Sequence, residues 1–205
     1  MTLIKICGMT NKVDAISACE LGVDMLGFVF YKMSKRSVGI NTVRDIINEL
    51  PDPVRKVGVF VDEDKDRVRE IARDANLDTL QFHGDETPEY CSAFRGDYKV
   101  IKAFRLRGRE DLRMINSYDV DLYLLDTYKY GERGGTGGTF EWSILKDFEF
   151  LKPIILSGGL DPDNVARAIS EVAPYCVDVS TGVEESPGKK SPELLRKFVR
   201  EVRKA

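Results

Sequence analysis

Apolar residues gather along this chain into short, nearly unbroken runs rather than alternating with polar ones. The runs are LIKIC (3–7), MLGFVFY (25–31), KVGVFV (56–61), TLQFH (79–83), KVIKAF (99–104), LYLLD (122–126), PIILS (153–157) and CVDVS (176–180). Strands of a parallel sheet read this way, because both of their faces are buried. Between the runs lie segments with helical spacing. Segment 11–21 sets Val13, Ile16 and Ala18 toward one side behind Asn11 as N-cap, and 42–50 carries Val43, Ile46 and Ile47 before Pro51 stops it. Segment 64–75 carries Val68, Ile71 and Ala72, and 87–94 has Pro88 at the favoured first helical position. Helices are also predicted over 109–117, 161–172 and 191–203, the last two opened by Asp161-Pro162 and Ser191-Pro192.

Eight strands, each followed by a helix, recur at spacings of roughly 20–30 residues. That is the pattern of an α/β protein of the (β/α)8 (TIM) barrel class, and 205 residues lie near the lower edge of its usual size. An open doubly wound sheet is the second architecture, disfavoured because few such sheets need eight parallel strands in so short a chain. The expected organisation is one domain over 1–205, with no linker or low-complexity tract. After strand six the helix is reduced or replaced by the glycine-rich stretch YGERGGTGG (130–138), followed by a short segment around 142–148.

Composition narrows the function. There are 31 Lys and Arg against 34 Asp and Glu, a formal net charge of -3, which argues against nucleic acid as a partner. No apolar run reaches the length of a membrane span, and MTLIKICG enters a strand pattern directly, unlike a signal peptide. The expectation is a cytoplasmic protein without nucleic-acid or membrane partners, a monomer or homodimer. The four cysteines (Cys7, Cys19, Cys91, Cys176) are far apart with no CxxC pair, and there is one histidine, His83. Neither a zinc site nor a disulfide framework suits that inventory, and the other three cysteines read as small apolar residues.

In such a barrel the chemistry sits at the C-terminal ends of the strands. Those ends bear Cys7, the Ser34-Lys35-Arg36 loop, Asp62, His83, Lys102 and Arg105, Asp126, Ser157-Gly158-Gly159, and Asp178 with Ser180-Thr181-Gly182. The glycine pair after strand seven precedes a helix start at Asp161. The Ser-Thr-Gly turn after strand eight precedes Val183-Glu184-Glu185, read as the start of a short extra helix. Loops at these two positions are a common phosphate site, where backbone N–H groups and a helix dipole supply the attraction. The 130–138 stretch lacks the GK[ST] of a P-loop and reads as a mobile lid. Arg36 is evenly balanced between solvated surface and a clamp for a carboxylate. Asp126 closes an apolar run, where a carboxylate is costly without a partner or a protonation role. His83 stays open between a structural and a ligand-contacting role. Strands one and six set Cys7 and Asp126 facing across the mouth, as a base and an acid on one small substrate would need. A Cys7–His83 dyad is disfavoured, since strands one and four place the two apart.

Ten segments resemble the phosphoribosylanthranilate isomerase family, in family order and over nearly the whole chain. They are KICGMT (5–10), GFVF (27–30), SKR (34–36), VGVF (57–60), QFHG (81–84), LLDT (124–127), GGTGGTFEW (134–142), LSGGLDPDNV (156–165), VDVSTGVE (177–184) and PGKK (187–190). The resemblance implies an Amadori rearrangement of an N-glycosidic aminoaldose phosphate to an aminoketose phosphate in tryptophan biosynthesis, without metal or organic cofactor. It implies Cys7 as general base and Asp126 as general acid, with Arg36 holding the anthranilate carboxylate. Gly158, Gly159, Thr181 and Gly182 would hold the phosphate, with His83, Asp178 and Ser180 completing the expected substrate-binding set. Phe82 replaces the more usual leucine, Gly138 stands where a longer polar residue is common, and the loop is extended through 128–133. Another phosphosugar isomerase, an indole-forming synthase, or a non-catalytic phosphosugar-binding protein on the same barrel are the competing readings. The first two are disfavoured because strand one offers a cysteine where related isomerases use an aspartate, and because no lysine–glutamate set stands at matching strand ends.

Overall fold

Strands that are apolar on both faces need cover on both, and a closed ring of strands inside a ring of helices provides it. In the computed structural model, which describes residues 1–51, 53–126, 142–145 and 147–205, the strands are β1 (Leu3–Cys7), β2 (Met25–Val29), β3 (Arg55–Phe60), β4 (Thr79–Phe82), β5 (Lys99–Arg105), β6 (Leu122–Asp126), β7 (Ile154–Ser157) and β8 (Cys176–Val179). They pair in chain order, all parallel, and β8 returns to β1 with Lys5 opposite Asp178. The result is a closed eight-stranded barrel. The helices are α1 (Lys12–Glu20), α2 (Ile40–Ile47), α3 (Lys65–Asp74), α4 (Pro88–Ser92), α5 (Val165–Val172) and α6 (Pro192–Lys204).

Alternation along each strand separates two cores. Ile4, Ile6, Leu26, Phe28, Leu80, Phe82 and Leu125 pack outward under the helices. Leu3, Met25, Val57, Ile101, Ala103, Leu122, Leu124, Ile155 and Cys176 fill the barrel's interior. Above that apolar floor the inward positions turn polar: Lys5, Gln81 and Asp178 are buried there, and Cys7, His83 and Asp126 stand at the rim.

The elements depart clearly from the sequence pattern at three places, and at 142–145 a short segment stands where one was expected. Segment 109–117 is a 3₁₀ helix, and its buried residues Leu112 and Ile115 are three apart, which suits three residues per turn. Helix α5 starts at Val165 rather than 161, because Asp161 Oδ1 accepts from the backbone N–H of Asp163 and Asn164 and so closes a separate turn. Between β6 and β7 the described residues hold one 3₁₀ turn, Trp142–Leu145. The short extra helix expected at Val183–Glu185 is instead a 3₁₀ turn (Thr181–Val183) followed by a hairpin of β9 (Glu184–Ser186) and β10 (Lys189–Lys190). Pro187-Gly188 explains the change: proline fixes the turn's first central position, and Gly188, at φ +83°, supplies the left-handed one.

Candidate active site

Each rim residue gets its position from strand register. Cys7 ends β1 opposite Gly27 of β2. A Cβ on Gly27 would lie 2.8 Å from the Cys7 sulfur and 3.3 Å from Lys5 Nζ, so glycine is needed there to make room for both. Gly8, at φ +77°, breaks the strand directly after Cys7 and leaves space for the Arg36 side chain and Ser180 Oγ.

Cys7 sits in a ring of buried charge. Lys5, fully buried, donates to Asp178 Oδ1 at 2.8 Å, and Ser157 Oγ donates to Asp178 Oδ2 at 3.2 Å. Lys190, also buried, donates to the Cys7 carbonyl (2.7 Å), the Ser180 carbonyl (3.1 Å) and Glu184 Oε1 (2.9 Å). Glu184 in turn accepts a two-pronged pair from Arg36, Nε to Oε1 at 2.7 Å and an Nη to Oε2 at 2.5 Å. The β9–β10 hairpin is thereby tied to the end of β1, and Thr10 Oγ1, donating to the Gly188 carbonyl, secures its turn.

These contacts move the protonation equilibria. Burial pushes the Cys7 thiol up, while Lys5 and Lys190 pull it back and Asp178 adds to the rise. Burial also works against the Lys5 charge, but Asp178 and then Cys7 outweigh it and hold the ammonium above the ordinary lysine value. Burial lowers Lys190 more than Glu184 restores. Glu184 is pushed up by burial, yet the Arg36 and Lys190 hydrogen bonds prevail and keep it below the ordinary carboxylate value.

Across the rim, Asp126 ends β6 and meets His83 at the end of β4, with Nε2 and Oδ2 3.2 Å apart. Gln81 Nε2 lies 3.1 Å from His83 Nδ1. With the amide so oriented Nδ1 accepts, and the ring's other nitrogen carries the proton toward Asp126. The disfavoured Cys7–His83 dyad gives way to this His83–Asp126 pair. In the closed ring β1 and β6 are three strands apart, as are β1 and β4.

The two turns read as phosphate-binding are in contact. Gly158 and Gly159 have φ of +93° and +69°, and Asn164 Nδ2 donates to the Gly159 carbonyl at 2.9 Å. Gly182 lies so close to the other turn that a Cβ would overlap the Leu160 carbonyl oxygen. Gly182 therefore stands directly against Leu160 and Asp161, the residues that follow the 157–159 turn.

Three of the polar residues at the strand ends have partners within the protein frame. Asp178, expected to bind substrate, is 6 % exposed, and its carboxylate oxygens accept from Lys5 and Ser157 beneath the rim. Lys102, at an even position on β5, points outward and is buried in a pair with Glu86 (2.8 Å) and the Gly84 carbonyl (2.7 Å). Asp62 serves the frame, accepting from the Asp85 N–H at 2.6 Å. The 130–138 stretch and Gly138 lie outside the described residues. Sequence reasoning missed Lys5, Lys190, Glu184 and Gln81. The signal for Lys5 was its place two residues before Cys7, which puts both side chains on one face of β1.

Comparison with known proteins agrees with this geometry. Residues 4–201 match the family model described as N-(5'phosphoribosyl)anthranilate (PRA) isomerase. The N-(5'-phosphoribosyl)anthranilate isomerase of Geobacter sp. (strain M21) is 49 % identical over 204 residues, covering 100 % of this chain and 99 % of the relative. The crystal structure of phosphoribosylanthranilate isomerase from Thermotoga maritima superposes with a TM-score of 0.93 at 41 % identity, covering 100 % of both chains. A third relative, solved in complex with reduced 1-(o-carboxyphenylamino)-1-deoxyribulose 5-phosphate, gives a TM-score of 0.87 at 37 % identity, again over 100 % of both chains. A full-length barrel, a rim with a thiol and a carboxyl, and relatives of one name converge: the chain belongs to the N-(5'-phosphoribosyl)anthranilate isomerases, the aldose–ketose isomerases of tryptophan biosynthesis.

Proposed function

We propose that the isomerisation of N-(5'-phosphoribosyl)anthranilate runs here with Cys7 as general base and Asp126 as general acid. The observation that carries this reading is the rim itself. Cys7 ends β1 beside Lys5 and Lys190, and Asp126 ends β6 against His83. The phosphate would rest between the 157–159 and 180–182 turns, on Gly158, Gly159, Thr181 and Gly182 with Ser180 alongside, and Arg36 would meet the anthranilate carboxylate. The product analogue held by the solved relative has the same three parts: phosphate, ribulose chain and carboxyphenyl amine.

The proton steps balance with these two groups. Asp126 gives its proton to the ribose ring oxygen, the C1′–O bond breaks, and the anilino nitrogen lone pair forms the iminium. The Cys7 thiolate takes the C2′ proton. The C–H electron pair becomes the C1′=C2′ bond, and the iminium π pair returns to nitrogen. The enolamine then tautomerises to the ketone. Cys7 has gained the proton that Asp126 lost, and exchange with solvent resets both. His83 holds the Asp126 carboxyl at the ring oxygen. The expected loss of kcat for Cys7→Ala and for Asp126→Asn is about 10²–10⁴-fold each, measured by the fall in substrate fluorescence. Near-normal turnover in both variants would overturn the assignment.

A further inference from the structure

A base must hold its charge before it can act, and a buried thiol is poorly placed to do so. The paired charges around Cys7 come from four strands and a loop. Lys5 shares its strand, Asp178 comes from β8, Arg36 from the loop after β2, Glu184 from β9 and Lys190 from β10. Charged in their pairs, they comprise three cations and two carboxylates. Among these side-chain pairs alone the cations exceed the carboxylates by one, which a thiolate at Cys7 would match, and Asp14 of α1, whose carboxylate accepts from the Lys190 backbone N–H at 2.7 Å, is a further acidic group bordering the cluster. Of the cations, Lys190 reaches the Cys7 carbonyl and Arg36 is clamped by Glu184. Lys5 is the one beside the sulfur: both its Nζ and Cys7 Sγ press on the space that Gly27 leaves empty.

We propose that Lys5, oriented by its ion pair with Asp178, is the positioning residue that stabilises the Cys7 thiolate. This deepens the reading of Cys7 as base and rests on it. An ammonium has three donors. One is spent on Asp178, and the ammonium borders the same Gly27 space as the sulfur two residues along the strand. Asp178 keeps the ammonium charged in a site where burial would otherwise strip its proton. The pair thus replaces the histidine partner of thiol hydrolases, which is absent from this side of the rim, since His83 is engaged with Asp126. The C2′ proton goes to sulfur and not to Lys5, which stays charged throughout. The lysine's task is electrostatic.

The test compares wild type with two variants, Lys5→Met/Asp178→Asn, which removes the pair together, and Lys5→Gln, which keeps a donor to Asp178 without the charge. Two quantities are followed against pH: the Cys7 thiolate absorbance, taken as the difference from Cys7→Ala in the same background, and the acid limb of kcat. Loss of the neighbouring cation should move both upward together by about 1–3 pH units, with turnover at neutral pH falling about 10-fold or more and recovering toward the wild-type level at high pH. If neither moves in a folded variant, Lys5 does not tune the sulfur and the proposal is overturned. If the thiolate signal moves while the acid limb stays, the Lys5 role stands and the reading of Cys7 as base fails.

Discussion

His83 Nε2 lies 3.2 Å from Asp126 Oδ2, and Gln81 holds the far side of the ring at 3.1 Å. The only histidine of the chain is thus fixed by β4 and aimed at the carboxyl that ends β6. A hydrogen bond to the carboxylate that Asp126 becomes as it gives up its proton is worth about 1.5–3 kcal/mol. His83→Ala should therefore lower kcat by about 10- to 100-fold while KM changes little. Steady-state kinetics beside a melting curve decide it. An unchanged kcat with a lowered melting temperature would make His83 a frame residue only.

The Arg36–Glu184 pair leads to a different signature. Glu184 fixes the guanidinium from the hairpin, and two-pronged pairing sets its plane. Glu184→Gln weakens that hold without removing Arg36. The expected result is a rise in KM of about 10-fold, in line with a charge-assisted contact of about 1.5–3 kcal/mol, and a smaller change in kcat. A kcat loss with KM unchanged would place Glu184 in the chemical step instead.

How far the sequence reached follows from what each signal depends on. The eight strands were readable because burial on both faces leaves continuous apolar runs. Cys7, His83 and Asp126 were readable as rim residues because each ends such a run. The charge cluster was not. Lys190 contacts Cys7 across 183 residues of chain, and Glu184 contacts Arg36 across 148. Pairings at that separation leave no periodic trace. Lys5 looked like a polar interruption of LIKIC, since a lysine inside a barrel makes sense only once Asp178 is opposite. The β9–β10 hairpin was misread because three polar residues before a proline carry no strand pattern.

The contact between the two glycine turns makes Gly182 a specific target. Its Cβ would overlap the Leu160 carbonyl oxygen, and backbone cannot swing aside as a side chain can. Gly182→Ala should push the turns apart, raise KM for the phosphorylated substrate, and weaken inhibition by inorganic phosphate by about 10-fold, as for a lost charge-assisted contact. The overpacking should cost about 1–3 kcal/mol of stability. Unchanged phosphate inhibition in Gly182→Ala would remove these turns from the phosphate site.

Lys102 and Glu86 form a buried pair outside the barrel wall, with the Glu86 carboxylate also accepting from the Asp62 and Gly84 N–H groups. Removing one member of such a pair strands the other and costs about 3–5 kcal/mol. Lys102→Met should therefore lower stability by that amount in urea unfolding, with kcat per folded molecule unchanged. A large kcat loss at full stability would return Lys102 to the site.

The depressed Glu184 carboxyl makes a prediction about acid. Burial alone would raise it, but the Arg36 and Lys190 hydrogen bonds bring it below the ordinary value, so the unfolded chain binds this proton more readily than the folded one. Its contribution to stability is thus complete above the unfolded value of about 4.3 and fades as pH falls through the lower folded value. The stability gap between wild type and Glu184→Gln should be constant from about pH 6 to 8 and shrink below about pH 4.3. Urea unfolding of both proteins across that range measures the gap. A gap that stays level or widens in acid would mean that Glu184 is not ionised in its pair with Arg36 and Lys190, and the count of charges around Cys7 would then have to be redrawn.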